Sequence, residues 1–293
     1  MRFKFIVSKL ANFYFFISNL SAWSPYTYKK DYSDFWLKQI GPLTKDEKTS
    51  LNNFKKLHLK YSYGPKYLGK LFFEEDASLE KIASILPPKD RKILKQPFQL
   101  LEQKYERLLE YEWALLQDWK KLLESYFSNI NLTNIFEILS FLYNTKTAIP
   151  KTVEVFILFS TPNRTGGEAN IGPQKLTLEI SRYDKNKVPQ AAGIILHEII
   201  HLIFEKEKFF PLLIKMVGND YKKFHIIKEA TASSLFPKGV LGNKFLGIPL
   251  AVQILPQINP RQTALIFKLM NKYIDSKNKL DENYIAEVIK ITS

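Results

Sequence analysis

Apolar positions in the first half of the chain recur at helical spacing. The clearest case is 90–127, where large apolar side chains return every three or four residues. A shorter helix is predicted after Thr44, because a threonine followed three residues later by Glu47 is typical of a capping box. A further helix is predicted at 134–143. Residues 1–148 are therefore predicted to form a helical N-terminal subdomain.

The pattern changes after Pro150. Residues 153–160 are rich in β-branched and aromatic side chains, and 174–181 alternate apolar with polar residues, so both segments are predicted to be strands. The sequence TPNRTGG at 161–167 is typical of a turn-rich loop. A helix is then predicted from about 189 to 207. Because this helix is apolar on nearly every side, we expect it to be buried.

Three more helices are predicted after the buried one, at 220–235, 261–275 and 282–291. The fold class that follows is α+β, mostly helical, with a small sheet. We predict two parts, the helical subdomain at 1–148 and a second domain at 149–293 that contains the sheet and the buried helix.

The first twenty residues allow two interpretations. Arg2 and Lys4 precede an apolar run at 10–17, which is typical of a signal peptide or a membrane anchor. Lys9 and Asn12 interrupt that run, and the apolar residues lie near helical spacing, so we predict a core helix. We therefore expect a cytoplasmic protein, with export or membrane association through this apolar helix as the alternative.

Composition limits the chemistry that the chain can perform. It has no cysteine, which excludes disulfides, thiolate ligands and a cysteine nucleophile, so a bound metal must be held by imidazole and carboxylate groups. The formal net charge of +14 favours anionic partners. The positive charges are mostly lysines spread along the chain without a dense basic tract, however, so nucleic acid is not the partner that we expect.

The segment 197–201 (HEIIH) carries the most specific chemical signal. It is an H-E-x-x-H motif inside the predicted buried helix. Residues four apart share one helix face, so His197 and His201 can bind one zinc ion. Glu198 projects about 100° away and can take a proton from a water molecule as general base. Burial of these groups without partners is costly, which favours a metal site over a pair of core histidines.

The next helix offers a third ligand. It carries His225 and Glu229, again four residues apart. Small side chains follow at 230–234 and would let this helix approach its neighbour closely. We therefore favour Glu229, with His225 as the alternative. Glu205 and Glu207 lie at the end of the motif helix, where we expect a charged terminus that turns into solvent.

The H-E-x-x-H motif with a glutamate on the following helix resembles the gluzincin branch of the zincin metallopeptidases, which includes thermolysin-like enzymes and the aminopeptidase N type. The resemblance covers about 150–236. It implies a zincin-like catalytic domain with a bound Zn²⁺ ion. It also implies that Glu198 is the general base and that the zinc ligands are His197, His201 and Glu229.

The resemblance further implies that an edge strand before the motif helix binds the substrate backbone by β-augmentation. Residues 166–170 (GGEAN) are similar to the aminopeptidase edge motif G-x-M-x-N, with a plain turn as the alternative. Ala169 replaces the glutamate that holds the substrate amine, and Glu168 is displaced to the opposite face of a strand. Ser233 stands where many gluzincins have an aspartate that supports the first histidine, so that support must differ or come from elsewhere.

The predicted function is a zinc-dependent metallopeptidase that hydrolyses peptide bonds in a peptide or protein substrate. A metal-activated water would attack the carbonyl group with Glu198 as general base. The alternative is a catalytically inactive zincin-like scaffold that binds a protein or nucleic-acid partner through its basic surface. Four residues are candidate donors to the oxyanion of the reaction: His225, Tyr183, Tyr273 and Tyr284.

Overall fold

The structure is a computed structural model that describes residues 1–23, 30–62, 67–161, 165–180, 187–251 and 258–292. Within these residues the chain is mostly helical with one small mixed sheet, which agrees with the predicted α+β class. The strands are β1 (Arg2–Ile6), β2 (Thr152–Phe159), β3 (Gly166–Gly172) and β4 (Lys175–Ile180). The α-helices are α1 (Lys9–Ser21), α2 (Lys30–Ile40), α3 (Lys45–Lys60), α4 (Leu79–Ser84), α5 (Pro88–Ser128), α6 (Leu132–Leu142), α7 (Val188–Ile199), α8 (Phe209–Val217), α9 (Tyr221–Leu235), α10 (Val240–Leu246), α11 (Pro260–Asp275) and α12 (Glu282–Thr292).

Most predicted elements are found in the structure. The strands predicted at 153–160 and 174–181 are β2 and β4, and the long amphipathic stretch is the single helix α5. The Thr44 side chain and the Glu47 side chain cap α3 reciprocally, which confirms the capping box. The helices α2 and α4 lie in the part predicted to be helical but were not predicted as separate elements, and the short helices α8 and α10 were not predicted.

The sheet has the strand order β1-β2-β4-β3. The first three of these strands are parallel, and β3 runs antiparallel to β4. Among the described residues β3 pairs on one side only, so it is an edge strand. Helix α7 packs against β3 and β4 on one face of the sheet, and α1 packs against β2 on the other.

The predicted N-terminal helix is wrong for its first residues, because Arg2–Ile6 is a strand. It pairs in parallel with β2, so that Phe5 lies opposite Val155. The helix α1 begins only at Lys9, where the Ser8 side chain accepts a hydrogen bond from the Ala11 N–H. The alternation of apolar residues at positions 3 and 5 therefore belongs to a strand of period two.

Asn12 explains why a polar residue interrupts the apolar helix α1. Its side chain is completely buried and donates to the Ile157 carbonyl at 3.0 Å, while it accepts from the Phe159 N–H at 3.0 Å. The pairing of β1 with β2 ends at Phe156. Beyond the end of β1, Asn12 thus provides the hydrogen bonds that β1 no longer makes to β2. It satisfies buried backbone groups that would otherwise be costly to leave unpaired.

The interior is one continuous cluster of buried residues from both halves of the chain. Helix α5 packs against β1, β2 and α7, and so contacts elements on both sides of residue 148. The sheet takes one strand from before the predicted boundary and three from after it. The division into 1–148 and 149–293 stays a prediction.

No single helix among the described residues is long and apolar enough to cross a bilayer. Two consecutive segments, Val188–Phe204 and Phe209–Val217, have the length and apolar composition of a membrane span only when they are taken together. They are bent by 81° relative to each other. Much of the first segment lies in the core, where Ile195, Leu196 and Ile199 are fully buried. The predicted cytoplasmic location and its membrane-associated alternative stay predictions.

Candidate metal centre

The motif helix ends in a π-helical turn. Helix α7 is regular up to Ile199, and Ile200–Phe204 then form a π-helical turn in which the Glu205 N–H donates to the Ile200 carbonyl at 3.2 Å. The prediction of one helix at 189–207 did not include this turn. A π-turn inserts one extra residue into a helical turn and is frequent at functional sites. Here it begins immediately before His201.

Three side-chain donor atoms converge next to this turn. The Nε2 atoms of His197 and His201 are 3.0 Å apart. The Glu229 Oε2 atom lies 3.4 Å from the first of these nitrogens and 3.5 Å from the second. Ligands at about 2.0–2.1 Å from a tetrahedral zinc ion lie about 3.3 Å from each other. The donor atoms of the three predicted ligands are therefore close enough together to hold one metal ion.

The remaining ring nitrogens fix the orientation of both imidazoles. The Nδ1–H of His197 donates to the Phe236 carbonyl at 3.2 Å, and the Nδ1–H of His201 donates to the Glu205 carboxylate at 2.8 Å. When both imidazoles are neutral in these tautomers, both Nε2 atoms present lone pairs to each other and to the Glu229 carboxylate. Three acceptors at such distances repel one another unless a cation or a proton lies between them, so the donor set fits a metal ion.

Glu205 corrects the expectation that the end of the motif helix turns into solvent. It is completely buried, and its Oε2 atom binds His201. Burial acts to lower the pKa of His201, but the carboxylates of Glu205 and Glu229 outweigh burial and raise that pKa to about 10. Glu205 was missed as part of the site, although its position four residues after His201 places it on the same helix face.

Glu207 also has a structural role instead of a free, solvated one. Its Oε2 atom accepts hydrogen bonds from the Thr145 hydroxyl, the Lys146 N–H and the Thr147 hydroxyl at 2.7–2.9 Å. These donors lower the pKa of Glu207 to about 2. The residue therefore fixes the loop before β2, and it is not part of the three-atom cluster.

Glu229 is presented by α9. Burial acts to raise its pKa, but the hydrogen bonds and charges of His197 and His201 dominate and hold that pKa below its usual range. Its second oxygen, Oε1, pairs with Lys228 at 2.9 Å, which leaves Oε2 for the histidines. His225 lies outside the cluster, with its Nδ1 atom 3.9 Å from that second oxygen and its side chain 55% exposed.

Small residues allow the elements of the site to approach each other. Residues 230–235 of α9 are all buried, and they include the small side chains at 230–234 that were expected to let this helix approach its neighbour closely. In α7, a Cβ atom on Gly193 would lie 2.5 Å from the Pro237 Cβ atom, so only glycine fits there. This contact brings α7 next to the Phe236 carbonyl that binds His197. The Phe236 carbonyl therefore orients His197, while Ser233 is buried on α9.

Glu198 connects the motif helix to the edge strand. The segment GGEAN lies in β3, so its interpretation as a plain turn is wrong, as is the expectation of a loop at Gly166 and Gly167. The Glu198 Oε2 atom accepts from the Ala169 N–H at 2.8 Å. A Cβ atom on Gly167 would lie 3.0 Å from the Glu198 Cγ atom. Glu168 pairs with Thr177 and, as predicted, faces the other side of the sheet.

The candidate oxyanion donors differ in their surroundings. Tyr284 is completely buried, and its hydroxyl donates to Thr231 at 3.3 Å. The Tyr273 hydroxyl donates to Asp281 at 3.4 Å. Tyr183 lies outside the described residues. His225 is exposed, and its Nδ1 atom lies 3.9 Å from the Glu229 Oε1 atom.

Comparison of the chain with protein-family models, with curated proteins and with solved structures finds no match. The site itself has three chemical features: the three-atom cluster, the hydrogen bonds that orient it, and the carboxylate of Glu198 at the edge strand.

Proposed function

We propose that the protein is a zinc-dependent peptidase with a zincin-like catalytic domain. The observation that carries the proposal is the triangle of acceptor atoms from His197, His201 and Glu229, with sides of 3.0–3.5 Å. Each histidine is oriented by a hydrogen bond through its other nitrogen, as metal-binding histidines usually are. The chain has no cysteine, and this nitrogen and oxygen set suits zinc.

In this proposal each residue of the site has one task. His197, His201 and Glu229 would hold the metal, and Lys228 keeps the glutamate turned towards the histidines through its other oxygen. A bound zinc ion supplies a Lewis acid that polarises a carbonyl group and acidifies a water molecule. Glu198 would accept the proton of the attacking water and pass it to the leaving amine.

The edge strand would position the substrate. Among the described residues β3 pairs with β4 alone, so a peptide could add to its other edge as a further strand. Glu198 already binds the Ala169 N–H of that strand. A peptide beside β3 would therefore have its backbone next to the carboxylate that handles the proton.

Elemental analysis of the purified protein tests the metal site. We expect about one zinc per chain, loss of zinc in His201→Ala, and retention of zinc in the matched variant His225→Ala, because His225 lies outside the cluster. Zinc lost equally from both variants would contradict the proposed ligand set. No zinc in the parent protein, even after zinc is supplied at neutral pH, would favour the inactive scaffold.

A peptide-library cleavage assay tests the chemistry. Glu198→Gln is expected to keep its zinc and to lower peptidase turnover by about 10²–10⁴-fold, because glutamine cannot accept the proton. The parent protein must cleave at least one peptide in a zinc-dependent manner. Undiminished turnover in Glu198→Gln would refute the role of Glu198 as general base.

A further inference from the structure

Helix α8 is apolar around most of its circumference but is completely buried on one side only. Its sequence, FFPLLIKMV, contains a single charged residue, Lys215. Phe209 and Leu213, four residues apart on one helix face, are its fully buried side chains. The opposite face carries Pro211 and Ile214, which are both exposed, Ile214 to 55%. The described part of the chain therefore leaves an apolar face of α8 in contact with solvent.

The exposed apolar surface continues where the chain turns from α8 into α9. Tyr221 is the first residue of α9, and at 84% exposure it is the most exposed large apolar side chain of the described residues. The rings of Phe210 and Phe224 pack edge to face with 5.5 Å between their centroids, which holds the two helices together. The exposed side chains at this turn are named the corner patch: Pro211, Ile214 and Tyr221.

The corner patch lies in a strongly basic segment. Residues 206–228 contain six lysines but only two acids, Glu207 and Asp220. Both acids make hydrogen bonds within the protein, because Glu207 binds the loop at 145–147 and Asp220 accepts from the Lys223 N–H at 2.9 Å. The surface that this segment presents to a partner therefore has a net positive charge.

Lysines stand at both ends of the corner patch. Lys208 directly precedes α8 and Lys222 directly follows Tyr221, and both lysine side chains are exposed. Lys215, beside Ile214 on the outer face of α8, pairs with Glu282 at 2.8 Å. The patch thus has an apolar centre, in which the one charge is balanced, and positive charge at its ends.

This combination favours a lipid surface over a protein partner. Interfaces between proteins are depleted of lysine and use arginine where they need positive charge. An anionic bilayer attracts lysines to its headgroups and takes up apolar and aromatic side chains between them. The net charge of +14 on the whole chain acts in the same direction.

We propose that the corner patch docks the protein on the surface of a membrane that contains anionic phospholipids. Pro211, Ile214 and Tyr221 would enter the boundary between headgroups and acyl chains. Lys208 and Lys222 would bind the headgroup phosphates. The protein would lie on the bilayer through this corner and would not cross it.

The docking surface shares no side chain with the candidate metal centre. Helix α8 connects the π-turn that carries His201 to the helix that carries Glu229, and the Phe210 N–H donates to the Glu205 carbonyl at 2.8 Å. Vesicle binding is expected to be the same in the parent and in His201→Ala. Docking can therefore be tested apart from the peptidase proposal, and either proposal can fail alone.

Cosedimentation of the whole chain with sucrose-loaded vesicles tests the proposal. One set of vesicles is phosphatidylcholine alone, and the other contains about one third phosphatidylglycerol. We expect partitioning into the anionic vesicles to be at least about tenfold stronger than into the neutral ones, and to weaken as the salt concentration rises. No binding to the anionic vesicles, or equal binding to both sets, would overturn the proposal.

Two variants with the same substitution locate the apolar contact. Ile214→Glu places a charge in the corner patch and should weaken binding to the anionic vesicles at least about tenfold. Ile85→Glu makes the same change at a side chain that is 63% exposed at the end of α4, and should bind within about twofold of the parent. Equal binding by the two variants would show that the corner patch does not dock.

Two double variants locate the electrostatic contact. Lys208→Gln combined with Lys222→Gln should weaken binding about 10–30-fold, because each lysine near an anionic surface contributes about fivefold. Lys48→Gln combined with Lys56→Gln removes the same charge from exposed positions on α3 and should cost at most about threefold. Equal losses in both double variants would mean that the overall charge attracts the protein and that the corner patch does not direct it.

A further variant separates insertion from a contact between two copies of the chain. Tyr221→Trp adds a fifth tryptophan to the four of the parent, and its emission should shift to the blue and be quenched by brominated acyl chains when anionic vesicles are present. A new tryptophan that stays in water on bound vesicles would overturn the proposed insertion. A dimer that Ile214→Glu dissociates, without vesicle binding by the parent, would assign the corner patch to a second copy instead.

Discussion

At the scale of single residues, the hydrogen bond made by Nδ1 of each histidine fixes the direction in which its Nε2 atom points. His201 is oriented by the buried carboxylate of Glu205. We predict that Glu205→Gln lowers the affinity for zinc about 10–100-fold, because glutamine can still accept the hydrogen bond but no longer supplies the charge that makes His201 a strong ligand. The affinity is measured by competition with a chelator at pH 7.

Glu207→Gln is the matched control for this prediction. It removes a carboxylate from the same helix end, but that carboxylate binds the loop at 145–147 and not the cluster. Zinc affinity should therefore stay within about twofold of the parent. If Glu205→Gln bound zinc as tightly as Glu207→Gln, the positioning role of Glu205 would be wrong.

His58 provides a prediction on pH dependence. It is completely buried among the rings of Tyr14, Trp23, Phe54 and Tyr67, and burial lowers its pKa to about 3. The unfolded chain binds a proton near pH 6.5 and the folded chain does not, so acidification through this range favours the unfolded state. From pH 7 to pH 5 this residue should remove about 2 kcal/mol of stability.

Urea unfolding of the parent and of His58→Gln at pH 7 and at pH 5 measures the loss of stability that is due to His58. Glutamine keeps an acceptor for the Tyr14 hydroxyl, which binds His58 Nε2 at 2.6 Å, but does not titrate in this range. Other groups titrate equally in both proteins, so the difference between the two pH dependences isolates His58. An equal loss of stability in both proteins would show that the histidine is protonated while folded.

The motif residues could be predicted from the sequence, because a spacing of four on a helix determines which side chains share a face. The role of Glu205 could not be predicted from the sequence, although Glu205 lies four residues after His201. Its pattern is that of a charged helix end, since Lys206 and Lys208 flank Glu207 and no local signal shows that the π-turn carries Glu205 into the core. The carbonyl of Phe236 has no side-chain signal at all.

At the scale of elements, strand β1 shows where local patterns fail. Its five residues pair with residues 152–156, and the apolar positions at its start fit a period of two and a period of 3.6 equally well. A parallel pairing with a partner 150 residues away leaves no trace in the local sequence. The strand β2 was predictable from its longer run of apolar residues, and β4 from its sustained alternation of apolar and polar residues.

The edge strand β3 and helix α7 are in contact through a glycine. A Cβ atom on Gly167 would lie 3.0 Å from Glu198 Cγ, Ile194 Cγ2 and the Thr177 carbonyl oxygen. Gly167→Ala should therefore push β3 away from α7, with a cost of about 1–3 kcal/mol in the free energy of unfolding. Peptidase turnover should fall as well, because Glu198 would lose its place beside the strand.

Gly172→Ala is the control within the same strand. A Cβ atom there would meet only the flexible side chain of Lys175, at 3.1 Å, which can move away. Its effect on stability should stay within about 0.5 kcal/mol. Thermal unfolding and turnover are measured for both variants. A similar effect of the two alanines would mean that the contact between β3 and α7 does not position Glu198.

At the scale of the whole molecule, the proposed site depends on parts of the chain that lie far from it in sequence. The ligands lie on α7, on the π-turn and on α9, all after residue 148. Helix α5 packs against α7 and β2, however, and β1 completes the sheet beside β2. The structural support of the site therefore comes from both parts of the chain that the sequence predicted.

This arrangement predicts the behaviour of the isolated second part. A fragment of residues 149–293 lacks β1 and α5, so Val155 and Phe156 of β2, which are fully buried in the whole protein, would be exposed to water. We expect the fragment to show no cooperative urea transition by circular dichroism and zinc binding at least about 100-fold weaker than the full chain, which should unfold cooperatively. A fragment that unfolds cooperatively and binds zinc like the full chain would instead establish 149–293 as an independent domain, with the N-terminal part as an addition to it.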